Sequence, residues 1–298
     1  MRRWTPMMVG LVGLALAVLP GAGLAQTEPL AELVRLKQTT NAGRLMALKE
    51  ILTERKIPFE VQTFAGGRKD KPQEGTNLSV AFGSGPREIV VGAHYDAAEL
   101  KDGTLSHGMV DNGASVVVLV RVAEALRDRK LRHPVRLLFF DQEEIGLLGS
   151  KAYVASRKPG EVAAAVNLDI AGYGDSVAYG TGKGESSAPV IRAVERVCAE
   201  HLLDCVRFPK FPPSDDLSFE AAGLPNVSLA FVPRAEAHQL WLLLNGGPES
   251  GLRESFVPPI VRTIHTPEDR IEKIEPATLD LAAKTVLDVV LQLDASLD

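Results

Sequence analysis

The segment EIVVGAHYD, residues 88–96, passes from a nearly continuous apolar run to a histidine and an aspartate, and it is the clearest guide to the fold. Such a run, without alternation of polar and apolar residues, predicts a strand buried on both faces of a sheet. Similar runs occur at residues 77–83, 135–141, 163–169 and 226–232. Helix-like stretches separate most of them. The sequence therefore predicts an α/β fold, a three-layer single domain with a central mixed, mostly parallel sheet flanked by helices.

The remaining periodic segments predict helices, and one polar segment predicts a loop. Apolar residues recur at helical spacing in residues 29–55, which predicts a helix there. Further helices are expected at residues 112–129, 146–157, 187–203, 216–222, 234–245 and 277–295. Residues 66–76, GGRKDKPQEGT, are polar and rich in turn formers, so we expect a loop there.

Composition and charge exclude several classes of protein. The chain has 298 residues, of which 45% are apolar and 24% charged, so it can bury a core and is not intrinsically disordered. Its 26 glycines and 19 prolines show no period, and two cysteines are too few for a disulfide scaffold. A formal net charge of −5 argues against a nucleic-acid partner.

The first 25 residues have the three parts of a secretory signal peptide. Arg2 and Arg3 precede an apolar run from Met7 to Leu19, and small residues end the segment at Ala25. An uncleaved membrane anchor is the alternative, but the run is shorter than the ~20 residues that span a bilayer. We expect cleavage, export to the periplasm or the extracellular space, no stable membrane insertion afterwards, and one domain over residues 26–298.

The two cysteines, Cys198 and Cys205, stand seven positions apart, between a predicted helix and a strand-like segment. In an exported protein they could close a small disulfide loop, because the compartment is oxidising. Two buried free thiols fit the sequence equally well, since sequence does not define the geometry that a disulfide needs. Both possibilities stay open at this point.

Side chains that bind metals or transfer protons stand where the apolar runs end: His94, Asp96, Glu143, Glu144 and Asp169. Ligand sites of open α/β sheets lie beyond the carboxyl ends of the strands, so these side chains are expected to converge. Clustered carboxylates repel one another and lose hydration unless cations neutralise them. Histidine together with carboxylates suits Zn²⁺, with Mn²⁺ or Co²⁺ as alternatives. No cysteine lies nearby in sequence, which excludes a structural thiolate zinc site.

Taken singly, several of these segments also have ordinary structural explanations. Asp111, at the start of a predicted helix, is most often an N-cap. Glu143 and Glu144 form an acidic first turn that commonly complements a helix dipole. Asp169 is harder to explain in this way, because it closes a buried strand.

The segment HTPED, residues 265–269, resembles a helix start. Thr266 fits an N-cap, Pro267 fits the first helical position, and Asp269 fits the third position of a variant capping box. This explanation accounts for three of the residues and leaves His265 without a role. His265 is therefore a further candidate ligand.

Five motifs occur in order along the chain: AHYD (93–96), MVDNGAS (109–115), FFDQEEIGLLGS (139–150), NLDIAG (167–172) and IHTPED (264–269). As a set they resemble the zinc-dependent aminopeptidase family of co-catalytic di-zinc exopeptidases, whose fold glutaminyl cyclases share. The resemblance covers about residues 75–295. It implies that residues 26–298 form a peptidase catalytic domain acting on peptides with a free N-terminus.

The resemblance implies two zinc ions per chain, held by residues from all five motifs. His94 and Asp169 would bind one ion, Glu144 and His265 the other, and Asp111 would bridge both. The peptide bond after Asp111 is often cis in such enzymes. Two adjacent divalent ions can hold a bridging hydroxide and polarise the carbonyl of the bond to be cleaved.

The resemblance also implies catalytic roles for two neighbouring acids. Glu143 would be the general base, which takes the proton of the attacking water and passes it to the leaving amine. Asp96 would orient the imidazole of His94 through a hydrogen bond.

Two positions depart from the family pattern. Many relatives have a tyrosine before the last histidine, where its hydroxyl helps to hold the oxyanion, but this chain has Ile264. Tyr173, four residues after Asp169, could reach the site in its place. Relatives often have histidine where Asp216 stands, and Asp216 either alters the substrate pocket or complements a helix N-terminus.

Three functions follow from these patterns, and the first is an exported di-zinc aminopeptidase. The alternative is a glutaminyl cyclase, an aminoacyltransferase that uses one zinc ion to form N-terminal pyroglutamate. The third is a catalytically inactive binding domain on the same fold, which the presence of every expected ligand disfavours. Side-chain specificity and oligomeric state are not predicted.

Overall fold

The computed structural model describes residues 1, 30–68, 70–180, 187–247, 249, 251 and 256–297. Apart from Met1, the predicted signal peptide at residues 1–25 lies outside the described residues. Within these ranges, no helix has both the length and the apolar character needed to cross a membrane.

In the described part of the chain, eight strands form one mixed sheet: β1 Glu60–Arg68, β2 Lys71–Phe82, β3 Glu88–His94, β4 Val135–Phe140, β5 Val162–Leu168, β6 Ser176–Gly180, β7 Cys205–Phe208 and β8 Asn226–Val232. Their order across the sheet is β1-β2-β4-β3-β5-β8-β6-β7. The central strands β4, β3, β5 and β8 run parallel, as do β6 and β7. The other pairings are antiparallel. The predicted α/β fold with a mixed, mostly parallel sheet is confirmed.

The described helices are α1 over residues 30–35, α2 Asn41–Glu54, α3 Ala114–Leu126, α4 Leu148–Ala155, α5 Ala188–Glu200, α6 Asp216–Ala221, α7 Arg234–Asn245, α8 Pro259–Thr263 and α9 Pro276–Ser296. An irregular turn, Met109–Gly113, leads into α3. A 3₁₀ turn, Ile271–Lys273, precedes α9. The first turn contains Asp111, and the two turns contact each other.

The central strands are buried on both faces of the sheet. Along β3, Val91 packs into the main core, to which α3 and α9 contribute, whereas Val90 packs into a second cluster with Tyr153 of α4 and Phe219 of α6. Successive residues of a strand point to opposite faces, so helices cover both sides and the domain has three layers. Burial on both sides is the reason why these strands lack polar alternation.

Two predictions about local structure were wrong. In this range, residues 66–68 end β1 and residues 71–76 begin β2, and they are polar because most of this part of the hairpin is exposed or half-buried. Residues 29–55 do not form one helix, because α1 ends at residue 35 and α2 begins at Asn41. Thr40 caps α2 by accepting the backbone N–H of Gly43 at 3.0 Å.

The two cysteines are joined by a disulfide. Cys198 lies in α5 and Cys205 begins β7, and the bond closes a loop with a sequence separation of seven. Of the two possibilities left open by the sequence, the structure has the bonded one. The disulfide fastens an edge strand of the sheet to the helix that precedes it.

Replacing both cysteines should lower stability without moving the rest of the fold. In C198S/C205S, the unfolded chain regains the entropy of a small open loop, which corresponds to about 2–3 kcal/mol. Thermal melting should show a Tm lower by roughly 5–10 °C. Free thiols in the purified unmutated protein, detected by alkylation and mass spectrometry, would contradict the bond.

Candidate metal centre

The structure brings the five predicted metal ligands together at the carboxyl edge of the sheet. His94 is the last residue of β3, Asp169 directly follows β5, and Glu144 lies in the turn after β4. Asp111 lies in the irregular turn before α3, and His265 follows α8. The fold thus assembles the cluster from five segments that are far apart in sequence.

Asp111 stands at the centre of this cluster. Its Oδ1 lies 3.1 Å from Nε2 of His94, and its Oδ2 lies 3.1 Å from Nε2 of His265. Asp169 Oδ1 is 3.6 Å from the same His94 nitrogen, and Glu144 Oε2 is 3.0 Å from the same His265 nitrogen. Two groups of three residues therefore share Asp111, and within each group the donor atoms lie within 4.8 Å of one another.

The donor set fits a pair of divalent metal ions. Imidazole nitrogens and carboxylate oxygens are ligands that Zn²⁺ accepts. Two buried carboxylate oxygens, Glu144 Oε1 and Asp169 Oδ1, have no hydrogen-bond partner within the described residues. Such oxygens are costly unless a donor or a cation satisfies them. Because Asp111 gives one oxygen to each group, the arrangement can hold two ions side by side.

The electrostatics of the cluster favour positive charge. Burial lowers the pKa of His94, but contacts with Asp111 and Asp169 outweigh it and raise the pKa well above its usual value. Contacts with Asp111 and Glu144 raise the pKa of His265 to about 11. Burial raises the pKa of Asp111, yet the two imidazoles bring it below its usual value. Carboxylates that stabilise imidazolium ions also stabilise metal cations in the same place.

Asp96 joins the end of β3 to the turn after β4. Its Oδ1 accepts the backbone N–H of Glu143 at 3.1 Å, and its Oδ2 accepts that of Glu144 at 3.2 Å. Nδ1 of His94 lies 3.1 Å from the carbonyl oxygen of Asp96 and 3.4 Å from its Oδ1. A hydrogen on Nδ1 leaves the lone pair of Nε2 directed at the cluster. Asp96 therefore positions both glutamates, in addition to the predicted contact with His94.

Glu143 lies beside the two groups that share Asp111. With His94 and Glu144 it forms a third set of donor atoms within 4.8 Å. Burial raises the pKa of Glu143 to about 9, and the charges of Asp169 and Asp111 add to this effect while His94 opposes it. Metal cations among these carboxylates would lower the pKa again. A carboxyl with a shifted pKa next to a ligand cluster is suited to proton transfer.

Asp269 does not cap a helix, so the capping-box prediction was wrong. Residues 266–269 form no helix, and Asp269 is fully buried. Its carboxylate accepts three backbone N–H groups, from Met109 at 2.9 Å, Val110 at 2.6 Å and Asp111 at 3.1 Å. Three donors on one carboxylate hold the turn that presents Asp111 to both histidines.

Asn112 holds the segment around Asp169 in a similar way. Its Nδ2 donates to the carbonyl of Leu168 at 2.9 Å, and its Oδ1 accepts the N–H of Ile170 at 3.1 Å. These two residues flank Asp169 directly. The peptide bond between Asp111 and Asn112 is cis, as the family resemblance implied.

Arg44 is a fully buried cation close to the cluster, and no local sequence pattern indicates its role. Its guanidinium donates only to backbone carbonyls in the described residues, namely those of Leu36, Tyr95, His107 and Gly108. Tyr95 follows His94, and Gly108 precedes the turn that carries Asp111. Burial lowers the pKa of Arg44, whereas the charges of nearby carboxylates, with Asp96 first, oppose this. Arg44 therefore attaches α2 to two ligand segments.

At the two departures from the family pattern, Tyr173 does not take the place of the missing tyrosine, and Asp216 makes a local contact. The hydroxyl of Tyr173 donates to Glu236 at 3.1 Å rather than to the cluster, and Glu236 also accepts the N–H of Ile260 at 2.8 Å. Asp216 is buried at the start of α6, and its Oδ1 accepts the N–H of Ser214 at 3.0 Å. Its position in the first turn of α6 is the one expected of a carboxylate that complements a helix N-terminus, while the contact itself is with an N–H before the helix.

The fold and the cluster define a class of protein, the α/β proteins with a paired histidine–carboxylate centre at the carboxyl edge of the sheet. The sequence profile of Peptidase family M28 matches residues 77–290. Because the match spans most of the chain, the protein belongs to peptidase family M28. The resemblance drawn from the five motifs is thereby confirmed.

Curated relatives with similar sequences are named as aminopeptidases. Aminopeptidase YwaD of Bacillus subtilis (strain 168) is 28% identical over 213 residues, which is 69% of this chain and 41% of the relative. A probable leucine aminopeptidase of Arthroderma otae is 26% identical over 220 residues, which is 71% of this chain and 55% of the relative. The chain thus spans about half the length of the curated relatives it matches.

Solved structures with the same fold include members of two functional groups. A zinc aminopeptidase from Bacillus subtilis superposes with a TM-score of 0.58 at 24% identity, covering 76% of this chain and 52% of the other. A glutaminyl cyclase from an Acidobacteriales bacterium superposes with a TM-score of 0.68 at 18% identity, covering 95% of this chain and 99% of the other. At these identities the likeness concerns the fold.

Asp269→Asn should weaken metal binding while the fold is kept. The amide oxygen can still accept two N–H groups, but the NH₂ group faces the N–H of Asp111 and displaces that segment. Losing a residue that supports a metal ligand typically lowers metal affinity about 10- to 100-fold. Competition of the zinc-loaded protein with a chelator measures this loss.

Glu268→Gln is the matched control, because it changes an exposed carboxylate in the same turn. We expect it to keep the affinity of the unmutated protein. Equal zinc affinity in both variants would exclude a role for Asp269 in holding Asp111.

Proposed function

We propose that the protein is an exported zinc-dependent aminopeptidase that removes N-terminal residues from peptides with a free N-terminus. The observation that carries the proposal is the position of Asp111, whose two oxygens face two different histidines. Each histidine has a second carboxylate beside it. Membership of family M28 and the aminopeptidase names of the relatives support this activity.

Two zinc ions per chain complete the proposed site. His94, Asp169 and one oxygen of Asp111 would hold one ion, and Glu144, His265 and the other oxygen of Asp111 would hold the second. When bound, zinc would polarise the scissile carbonyl and lower the pKa of the attacking water.

Glu143 is the general base of the proposed reaction. It follows Gln142 in the turn after β4, and Asp96 fixes its backbone by accepting its N–H. From this position its carboxylate takes a proton from the attacking water and delivers it to the leaving amine. Glu144, the next residue, is already used as a ligand beside His265. The two adjacent glutamates thus have different tasks.

A glutaminyl cyclase is the second candidate, because cyclases share this fold, as the superposition with the Acidobacteriales cyclase over nearly both whole chains illustrates. The two functions differ in chemistry at the same centre, since a cyclase forms pyroglutamate from an N-terminal glutamine and releases ammonia. One zinc ion per chain with pyroglutamate as the product would support the cyclase. Two zinc ions with release of free N-terminal residues would support the aminopeptidase.

Glu143→Gln should abolish most of the activity and leave the metal in place. The amide keeps the size of the side chain but cannot accept the proton of the attacking water. Loss of general-base catalysis lowers kcat about 10²- to 10⁴-fold. Hydrolysis of leucine p-nitroanilide, with zinc content measured on the same sample, tests both parts of the expectation.

Glu144→Gln is the matched variant at the neighbouring position, and it should lose zinc as well as activity. Removal of zinc by a chelator should inactivate the unmutated protein, and added zinc should restore it. A fully active Glu143→Gln protein would exclude Glu143 as the base.

Export rests on the sequence of residues 1–25, and the disulfide supports it because disulfides persist in oxidising compartments. When the whole chain is expressed in a Gram-negative host, we expect protein in the periplasm or the medium that begins at Gln26. Replacing Arg2 and Arg3 with glutamate should keep the precursor in the cytoplasm. Unprocessed protein beginning at Met1 in the exported fraction would contradict cleavage.

A further inference from the structure

The β1–β2 hairpin extends past the end of the sheet on the side of the metal centre. β2 pairs with β4 only from Leu78 to Phe82, whereas residues 71–77 pair with β1 alone. At about 3.3 Å per residue, this leaves roughly 20 Å of strand with no strand beside it on one edge. The unpaired edge begins where β4 ends, directly before the turn with both catalytic-centre glutamates.

Two side chains that follow β4 occupy the inner part of this edge. Asp141 accepts the N–H of Thr76 at 2.9 Å, and Gln142 donates to the carbonyl of Glu74 at 2.8 Å. Residues 74 and 76 therefore direct their backbone groups away from β1, as alternate residues of an antiparallel ladder do. The N–H of Glu74 lies on the same edge. Within the described residues it has no hydrogen-bond partner.

The edge of β2 at residues 73–76 borders a cavity of about 400 Å³ that reaches one of the proposed metal ligands, Glu144. Residues 73–76 line the cavity from the hairpin, and Leu45 and Leu105 line it from α2 and from the loop after β3. Asp96 and Glu144 of the centre line it as well. A chain bound in this cavity can contact both the edge of β2 and Glu144, one of the proposed zinc ligands.

We infer that the edge of β2 at Glu74 binds the leaving part of peptide substrates by strand addition. The inference rests on the proposed aminopeptidase function, because such a substrate has a single residue before the scissile bond. Every residue that extends from the centre then belongs to the leaving part. A peptide that runs from the cluster toward the hairpin turn is antiparallel to β2, and one of its carbonyls accepts the Glu74 N–H.

The ligand class that this edge recognises is an extended peptide of three or more residues. Recognition through backbone groups does not depend on the side chains of the leaving part, so many sequences are accepted. The enzyme should therefore cleave a tetrapeptide such as Leu-Ala-Ala-Ala with a higher kcat/KM than leucine p-nitroanilide, which has no backbone to pair with β2.

Glu74→Pro tests the inference, because proline has no backbone N–H and the variant therefore loses the donor proposed to bind the substrate. The pairing with β1 does not use this N–H. Glu74→Ala is the matched control, because it removes the same side chain and keeps the N–H. The measured quantity is the ratio of kcat/KM for Leu-Ala-Ala-Ala to that for leucine p-nitroanilide. Loss of one hydrogen bond should lower this ratio about 5- to 10-fold in the proline variant, whereas the alanine variant should keep the ratio of the unmutated enzyme.

A second measurement needs no variant and covers the case in which proline disturbs the hairpin. Tetrapeptides with a thioamide at the second or the third residue carry sulfur in place of one carbonyl oxygen, and sulfur is a weaker hydrogen-bond acceptor for the Glu74 N–H. One of the two should show a kcat/KM several-fold below that of the unsubstituted peptide. Equal values for all three peptides, or equal ratios in both Glu74 variants, would overturn the inference while leaving the aminopeptidase function intact. An unmutated, zinc-loaded enzyme that cleaves neither substrate would overturn both.

Discussion

The burial of several carboxylates at one edge of the sheet is the constraint on which the rest of the structure depends. Asp111, Glu143, Glu144 and Asp169 lie together where little water reaches them, so each raises the cost of charging the others. Two imidazoles offset part of this charge, and buried Arg44 adds a cation behind the ligand segments. The negative charge that remains favours the binding of divalent cations at this centre over a purely structural ion-pair network.

The cluster also has to be held against its own repulsion, and the backbone is fixed for this purpose. Asp269 accepts three N–H groups of the segment that ends in Asp111, and Asn112 bonds to both neighbours of Asp169. Asp96 does the same for the two glutamates. The segments of Asp111, Asp169 and Glu144 are thus each restrained by a polar side chain from another segment. These supports orient the donor atoms.

The sequence predicted the ligands better than their supports, for physical reasons. A strand buried on both faces has to be apolar, so a polar residue such as His94 or Asp169 at its end is conspicuous. Asp269 follows Thr and Pro in a pattern that also suits a helix cap, and its actual partners lie about 160 positions away in sequence. Arg44 lies in a helix, where arginine is normally exposed. Contacts of this kind depend on the tertiary fold, and local patterns do not reveal them.

The sequence pattern did not predict the hairpin because its end extends beyond the sheet, and this same extension leaves one edge of β2 without a neighbouring strand. Because residues 71–77 leave the sheet, much of this stretch reaches solvent, and its sequence is as polar as a loop. An exposed strand edge invites pairing with other proteins, and proteins commonly protect such edges with lysine and proline. Lys71 and Pro72 stand at the outer end of this edge, while Glu74 keeps its N–H nearer the centre. The outer part is thus unsuited to pairing with a second sheet. Nearer the centre, Asp141 and Gln142 bond to residues 76 and 74, and the Glu74 N–H is left for a short extended peptide.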